Sequence, residues 1–428
     1  MSRSPHIPSY YAATANPAPA CPVLEGAREA DICVVGAGIA GLSTALSLAE
    51  RGYRVVVLEA ERIGWGASGR SGGQIINGYA CDLGRLEAQL GRDDARRLWD
   101  MSVEAVELVA RNVERYHIDC DFQWGLLHAA LKPRQRRYLL AWQERMAHHY
   151  GYPHLRLVEG EELARLIASR RYLAALHDPG SGHLHPLNYT LGLGHAALAA
   201  GVEIFEGSRV LRLEHGARPL VHTERGQVRG AYIALCANAY LPRRLAPRLW
   251  RRIMPVGTYV ATTEPLGEER ARALLPSNAA VSDLNFVLDY FRRTHDHRLL
   301  FGGLVSYSTL PPLNLEQRLR AHMVRVFPQL EDVRMEFGWG GLVDITLNRA
   351  PDFGRLADNV FYLQGFSGHG MALANLAGKV LAEAIAGQAE RLDLFARLHH
   401  RPFPGGRWLR TPALVLAMLY YRLRDLLP

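Results

Sequence analysis

The sequence predicts a mixed α/β and α+β chain: a Rossmann-type parallel-sheet domain assembled from separated segments, with an antiparallel-sheet domain inserted into it. Three observations carry this. A strand, a helix and a second strand follow one another over residues 31–59; short β-rich runs broken by turns fill 253–345; and a glycine-rich loop opens a last helix at 371–386.

Residues 31–36 and 54–59 are continuous apolar runs, which suits parallel strands covered on both faces. The helix between them, 40–51, places Leu42, Ala45, Leu46 and Ala49 on one side, completing a βαβ unit. Helical periodicity continues over 86–116, 133–150, 159–170 and 187–200. Alternation of Phe122, Trp124 and Leu126 marks 121–131 as a strand, and 202–205 and 232–236 are apolar strands. In the β-rich stretch the clearest strands are 258–262, 286–292 and 299–301. The expected division is an N-terminal tail over 1–26; a parallel-sheet domain over 27–90, 155–245 and 340–395; a second, substrate-binding domain over 91–154 and 246–339; and a helical extension over 396–428.

A chain of 428 residues, 48% hydrophobic and 21% charged, is globular by composition and buries a core without staples. Its net charge of +8 is carried almost wholly by arginine, since Lys132 and Lys379 are the only lysines. The arginines interleave with acids, as over 92–97, and no nucleic-acid-reading motif accompanies them, so a nucleic-acid partner is not expected. Five scattered cysteines form no framework, which fits a reducing, cytoplasmic compartment. No leader of basic then apolar residues is present, and the apolar run at 412–421 is too short to span a bilayer; a packed C-terminal helix is expected there. His183 and His185 would share a strand face but have no third ligand, so no metal is expected. No Gly-x-Ser-x-Gly elbow follows a strand, which removes a serine hydrolase.

The chemistry lies in Gly36-Ala-Gly38-Ile39-Ala40-Gly41, directly after the first strand and opening the helix. Gly36 permits the turn, Gly38 admits a diphosphate close to the backbone, and Gly41 lets the helix pack on the strand, while free N–H groups and the positive helix end face the phosphates. Glu59, eighteen residues beyond Gly41 and followed by Ala60, supplies a carboxylate for a ribose hydroxyl pair and repels a 2′-phosphate. A second match at Gly192-Leu-Gly194 follows Pro186 and a polar run, so it reads as two glycines within a helix.

Two further glycine loops separate FAD from a nicotinamide cofactor. Residues 64–74 include Ala67, Ser68, Gly69, Arg70, Gly73 and Gln74, a backbone path able to pass close to a planar ring. Residues 365–371 include Gly365, Gly368, His369, Gly370 and Met371, and aim a helix N-terminus at the edge of a flavin where negative charge develops on reduction. A nicotinamide enzyme needs neither loop, so FAD is the expected cofactor.

These motifs, with Trp339-Gly-Gly-Leu, Asn348-Arg-Ala-Pro, Phe353-Gly-Arg355 and the 64–74 and 365–370 loops, resemble the D-amino-acid oxidase/glycine oxidase superfamily of FAD enzymes, most closely its gamma-glutamylputrescine oxidoreductase branch. The resemblance implies oxidation of a C–N bond: hydride passes to flavin N5, an imine forms and hydrolyses, and O2 reoxidises the flavin to give hydrogen peroxide. It implies a small-molecule amine as partner, favouring a gamma-glutamyl or other N-substituted amine; a D-amino-acid or glycine-type substrate is the alternative. It also implies adenine contact at Val210 and cofactor contact at Ala237, where Asn238 replaces the usual small residue. Relatives that place a lysine over the flavin have no clear counterpart in Lys132 or Lys379, so oxidase and dehydrogenase both stay open, as does a structural flavoprotein.

Loss of hydride from an amine needs the unprotonated nitrogen, which an apolar, aromatic pocket favours. On the resemblance, His369, Tyr290 and Trp339 are the candidate catalytic residues, and Tyr259 and Arg292 the candidate substrate-binding residues. Arg292 or Arg70 offers a planar fork for a carboxylate. Oligomeric state is not written in the sequence.

Overall fold

A computed structural model describes residues 4–306 and 312–406. The first strand, Ile32–Val35, and the second, Val55–Leu58, are fully buried and pair in parallel, as their apolar runs require. They are the centre of a six-stranded sheet in the order Asp352–Ala357, Val360–Gln364, Tyr232–Leu235, Ile32–Val35, Val55–Leu58, Glu203–Phe205, parallel except for its first pair. The helices Ile39–Ala49 and Gly370–Ile385 lie together against it, joined where Ser43 Oγ donates to the Asn375 carbonyl at 2.8 Å. A nine-stranded, largely antiparallel sheet carries the long strands Ile253–Thr263 and Met335–Thr346, which pair along their whole length.

Several elements differ from expectation. The pattern over 86–116 is two helices, Leu83–Leu90 and Arg92–Arg115, parted at Gly91, whose φ of 86° no helix accepts. The second of these packs on the helix Gly370–Ile385, with Lys379 Nζ 2.7 Å from Glu104, and so lies against the parallel-sheet layer rather than apart from it. Over 159–170 only Gly160–Ala164 is helical, and of 286–292 only Tyr290–Arg293 forms strand. Gln74–Ile75 and Ala174–His183, placed by sequence in the parallel-sheet domain, pair with each other inside the nine-stranded sheet. A small sheet of Gly26–Glu29, Gly226–Arg229, Leu220–His222 and Arg212–Glu214 was not anticipated, because strands this short carry no readable alternation.

The N-terminal segment is no loose tail. Tyr10–Ala13 forms one helical turn capped by Ser9, with Tyr10 and Tyr11 fully buried. Tyr10 donates to Asp296 at 2.7 Å, and Asn16 N–H donates to Asn188 at 2.8 Å. The apolar run at 412–421 lies outside the described residues. Among the described residues no helix is long and apolar enough to cross a membrane.

Candidate cofactor and active site

A cleft of about 310 Å³ opens at the carboxyl ends of the parallel strands, beneath the nine-stranded sheet. Its floor is the glycine turn. Gly36 sits at φ 108°, and a Cβ there would lie 3.0 Å from the Cys236 carbonyl oxygen. Gly41 faces away from the cleft: a Cβ would fall 1.9 Å from the Gly36 carbonyl oxygen, so it serves helix–strand packing. The Ser68 hydroxyl accepts the Ile39 N–H at 3.0 Å, binding the 64–74 loop to the helix start.

Of the residues expected at a cofactor, Gly36, Gly38, Ile39, Ala40, Glu59, Ala60, Ala67, Ser68, Val210, Ala237, Gly368, Gly370 and Met371 line this one cleft. Gly69, Gly73 and Gly365 pack against neighbouring chain and shape the loops behind it. Gln74 donates to the Val281 carbonyl at 3.0 Å, fixing the loop's end to the large sheet. Glu59 accepts two backbone N–H groups while facing the cleft, and burial raises its pKa against the lowering effect of those bonds.

The cleft fits FAD on its own chemistry. Backbone amides and glycines converge at the helix start, a carboxylate stands at the end of the second strand, and the rest is mainly apolar. Buried polar atoms at or beside it lack a protein partner: Asn238 Oδ1, which lines the cleft, and His369 Nδ1, between the lining residues Gly368 and Gly370.

The candidate substrate groups divide. Trp339 is buried, donates from Nε1 to the Arg70 carbonyl at 3.0 Å and meets Tyr11 edge-on at 5.2 Å. Tyr290 lies over Gly72, where a Cβ would come 2.4 Å from its ring, so it flanks the same loop. His369 caps the last helix; burial, then the nearby His128 and Arg349, push its pKa down to about 4, leaving a neutral imidazole. Tyr259 is different. It packs with Phe291 and Phe301 in the core on the far side of the large sheet, while its neighbour Val260, opposite Trp339, faces the cofactor side. Arg292 is fully buried and spends all three nitrogens on the Gly72 carbonyl (3.0 Å), the Arg293 carbonyl (3.1 Å) and the Tyr11 hydroxyl (3.2 Å). It clamps the loop to the N-terminal segment.

His183 and His185 do not share a strand face: the first ends a strand and the second caps the helix Pro186–Ala199. His183 Nε2 meets the Asn278 carbonyl at 2.8 Å, and His185 Nδ1 accepts the Asn188 N–H at 3.1 Å.

Sequence reasoning placed Asn238 beside the cofactor turn but missed Tyr11, Trp65, Tyr240 and Asp344. Asp344 lines the cleft and accepts the Gly365 and Phe366 N–H groups, and burial pushes its pKa up to about 6. A lone acid inside an apolar strand was a usable signal; the others had none.

A strand–glycine turn–helix cleft set beneath an antiparallel sheet defines a dinucleotide-binding protein. The family profile DAO, FAD dependent oxidoreductase, matches residues 31–384. The chain belongs to this family, and it is an enzyme that uses FAD. It is 44% identical over 420 residues to gamma-glutamylputrescine oxidoreductase of Escherichia coli (strain K12), covering 98% of each chain. It is 40% identical over 424 residues to a probable oxidoreductase, OrdL, of Haemophilus influenzae, covering 98% of this chain and 97% of that one. Its fold is shared with a crystal structure of glycine oxidase from Geobacillus kaustophilus, at a TM-score of 0.73 and 21% identity, over 87% of this chain and 99% of that one.

Proposed function

We propose that the protein oxidises the C–N bond of an amine, with a gamma-glutamyl or other N-substituted amine as substrate and O2 as the electron acceptor. The observation that carries this is the 44% identity, running over 98% of both chains, to a relative named gamma-glutamylputrescine oxidoreductase. Gly36, Gly38, Ile39 and Ala40 hold the diphosphate, Glu59 the ribose, and Val210 and Ala237 the adenine end. FAD, when bound, would supply the two-electron acceptor for the amine's hydride, with O2 as the final oxidant. The chain's own residues do the rest. Gly368, Gly370 and Met371 bring the start of the helix Gly370–Ile385 to the cleft, where its dipole would favour negative charge on a bound flavin. Tyr290 and Trp339 exclude water, and neutral His369 adds no cation beside an amine that must lose its proton before reacting. Five buried cysteines with no disulfide among them suit a cytoplasmic setting.

The test is O2 uptake and peroxide release by the holoenzyme with N-γ-glutamylputrescine, glycine and D-alanine. Stoichiometric peroxide from the first supports the proposal. Turnover of glycine or D-alanine alone moves the protein to the amino-acid oxidases, and turnover only with an artificial acceptor makes it a dehydrogenase.

A further inference from the structure

We propose that Arg70 anchors a carboxylate that the substrate carries away from its reacting amine, so that the guanidinium selects anionic amines. The inference rests on the reading of the cleft as amine-oxidising and adds the recognition group to it. Two arginines border the 64–74 loop, and the structure separates them. Arg292 has every nitrogen engaged by a carbonyl or a hydroxyl. Arg70 leaves Nε and Nη2 buried without a partner. Those two atoms form one edge of the planar fork, the edge a carboxylate meets with two parallel hydrogen bonds.

The fork is also held in place. Its carbon lies 4.1 Å from the centre of the Trp65 ring, and its stem runs beside Gly341, where a Cβ would sit 3.4 Å away. Trp65 and the following Ser71 line the cleft, and Trp65 is braced edge-on by Tyr240, another lining residue, at 5.7 Å. No acidic side chain among the described residues pairs with Arg70. Its charged or titratable neighbours are Tyr240 on the 3-10 turn Asn238–Tyr240, and His6 on the N-terminal segment, which itself lies beside Arg62. A half-buried guanidinium set over an indole ring, with two nitrogens unpaired and no carboxylate beside it, is an unmet charge that an anion would satisfy.

The experiment uses the FAD-loaded protein and two substitutions, Arg70→Met and Arg70→Lys. The probe is glutarate, a dicarboxylate with no amine to oxidise, against the neutral glutaramide, with binding read from the perturbed flavin absorbance. Glutarate should bind about 100-fold more weakly to R70M and about tenfold more weakly to R70K, with glutaramide unchanged throughout. With N-γ-glutamylputrescine, KM should rise in the same order and kcat fall far less. Wild-type protein that ignores glutarate, or R70M that binds it normally, overturns the proposal. So does loss of FAD from both variants on gel filtration, which assigns the fork to the cofactor. If the wild type binds glutarate but does not oxidise N-γ-glutamylputrescine, the amine reading fails and the anion site stands.

Discussion

The Glu59 carboxylate accepts the Ala37 N–H at 2.7 Å and so ties the end of the second strand to the glycine turn. Its other oxygen accepts the Glu61 N–H at 2.9 Å, and the side chain still faces the cleft. One residue thus shapes the turn and lines the cleft. Glu59→Ala should weaken FAD binding about 10- to 100-fold, the worth of one or two charged hydrogen bonds, measured as flavin retained after dialysis. Full retention would remove Glu59 from the cofactor site.

Gly41 tests the packing beneath the turn. With the Gly36 carbonyl 1.9 Å from any Cβ, Gly41→Val forces the helix off the strand. The expected loss is about 1–3 kcal/mol, seen as a lower melting temperature and weaker FAD retention together. An unchanged melting curve would show that the helix does not approach the strand this closely.

Trp339→Phe keeps the ring but leaves the Arg70 carbonyl without its donor. We expect a loss of about 1–3 kcal/mol in unfolding experiments, with a several-fold fall in kcat/KM as the 64–74 loop loosens. Equal kcat/KM for the two proteins would place Trp339 outside the working site.

The pH dependence of stability follows from buried histidines. His6, His128 and His369 are held at about 4 and His183 and His185 at about 3, each mainly by burial. Their unfolded value is 6.5, so between there and about 4 the unfolded chain binds more protons, and stability falls as pH drops through that window. Asp344 at about 6 and Asp283 at about 7 act oppositely, since the folded state holds their protons above the unfolded value of 3.8. His177 and His400 are lowered as well, and Glu59, Asp100 and Asp121 raised, so seven histidines against five carboxyls leave a net loss in acid. The urea midpoint should be lower at about pH 5 than at about pH 7.5, and His183→Gln should flatten that slope. A higher midpoint at the acid value would contradict the assignment.

All five cysteines are buried and none forms a disulfide, and burial raises the thiols of Cys81, Cys120 and Cys236 to about 12. The native protein should react slowly with a thiol reagent and yield five equivalents once unfolded. Rapid labelling of the native protein would show that one of them is exposed.

The parallel layer was legible because its signals are local: Ile32–Val35 and Val55–Leu58 are short apolar runs, and the glycine turn needs its residues in sequence. The fingerprint, Glu59 and the Gly368–Met371 helix start therefore met at one cleft. The substrate side was less legible, because it is assembled by strand pairing across long separations. Nothing local shows that Ala174–His183 leaves one layer for another, or that Tyr259 and Val260 face opposite sides. Tyr10 and Tyr11 lie in a Pro- and Ala-rich stretch whose composition reads as tail, and only their contacts with Asp296 and Arg292 reveal a wall.

The most direct measurement is flavin absorbance near about 450 nm, recorded without oxygen as N-γ-glutamylputrescine is added to protein purified with its cofactor. The protein should be yellow, bleach on addition and recover its colour when air is admitted. A correctly folded protein that stays colourless and takes up no added FAD would contradict it.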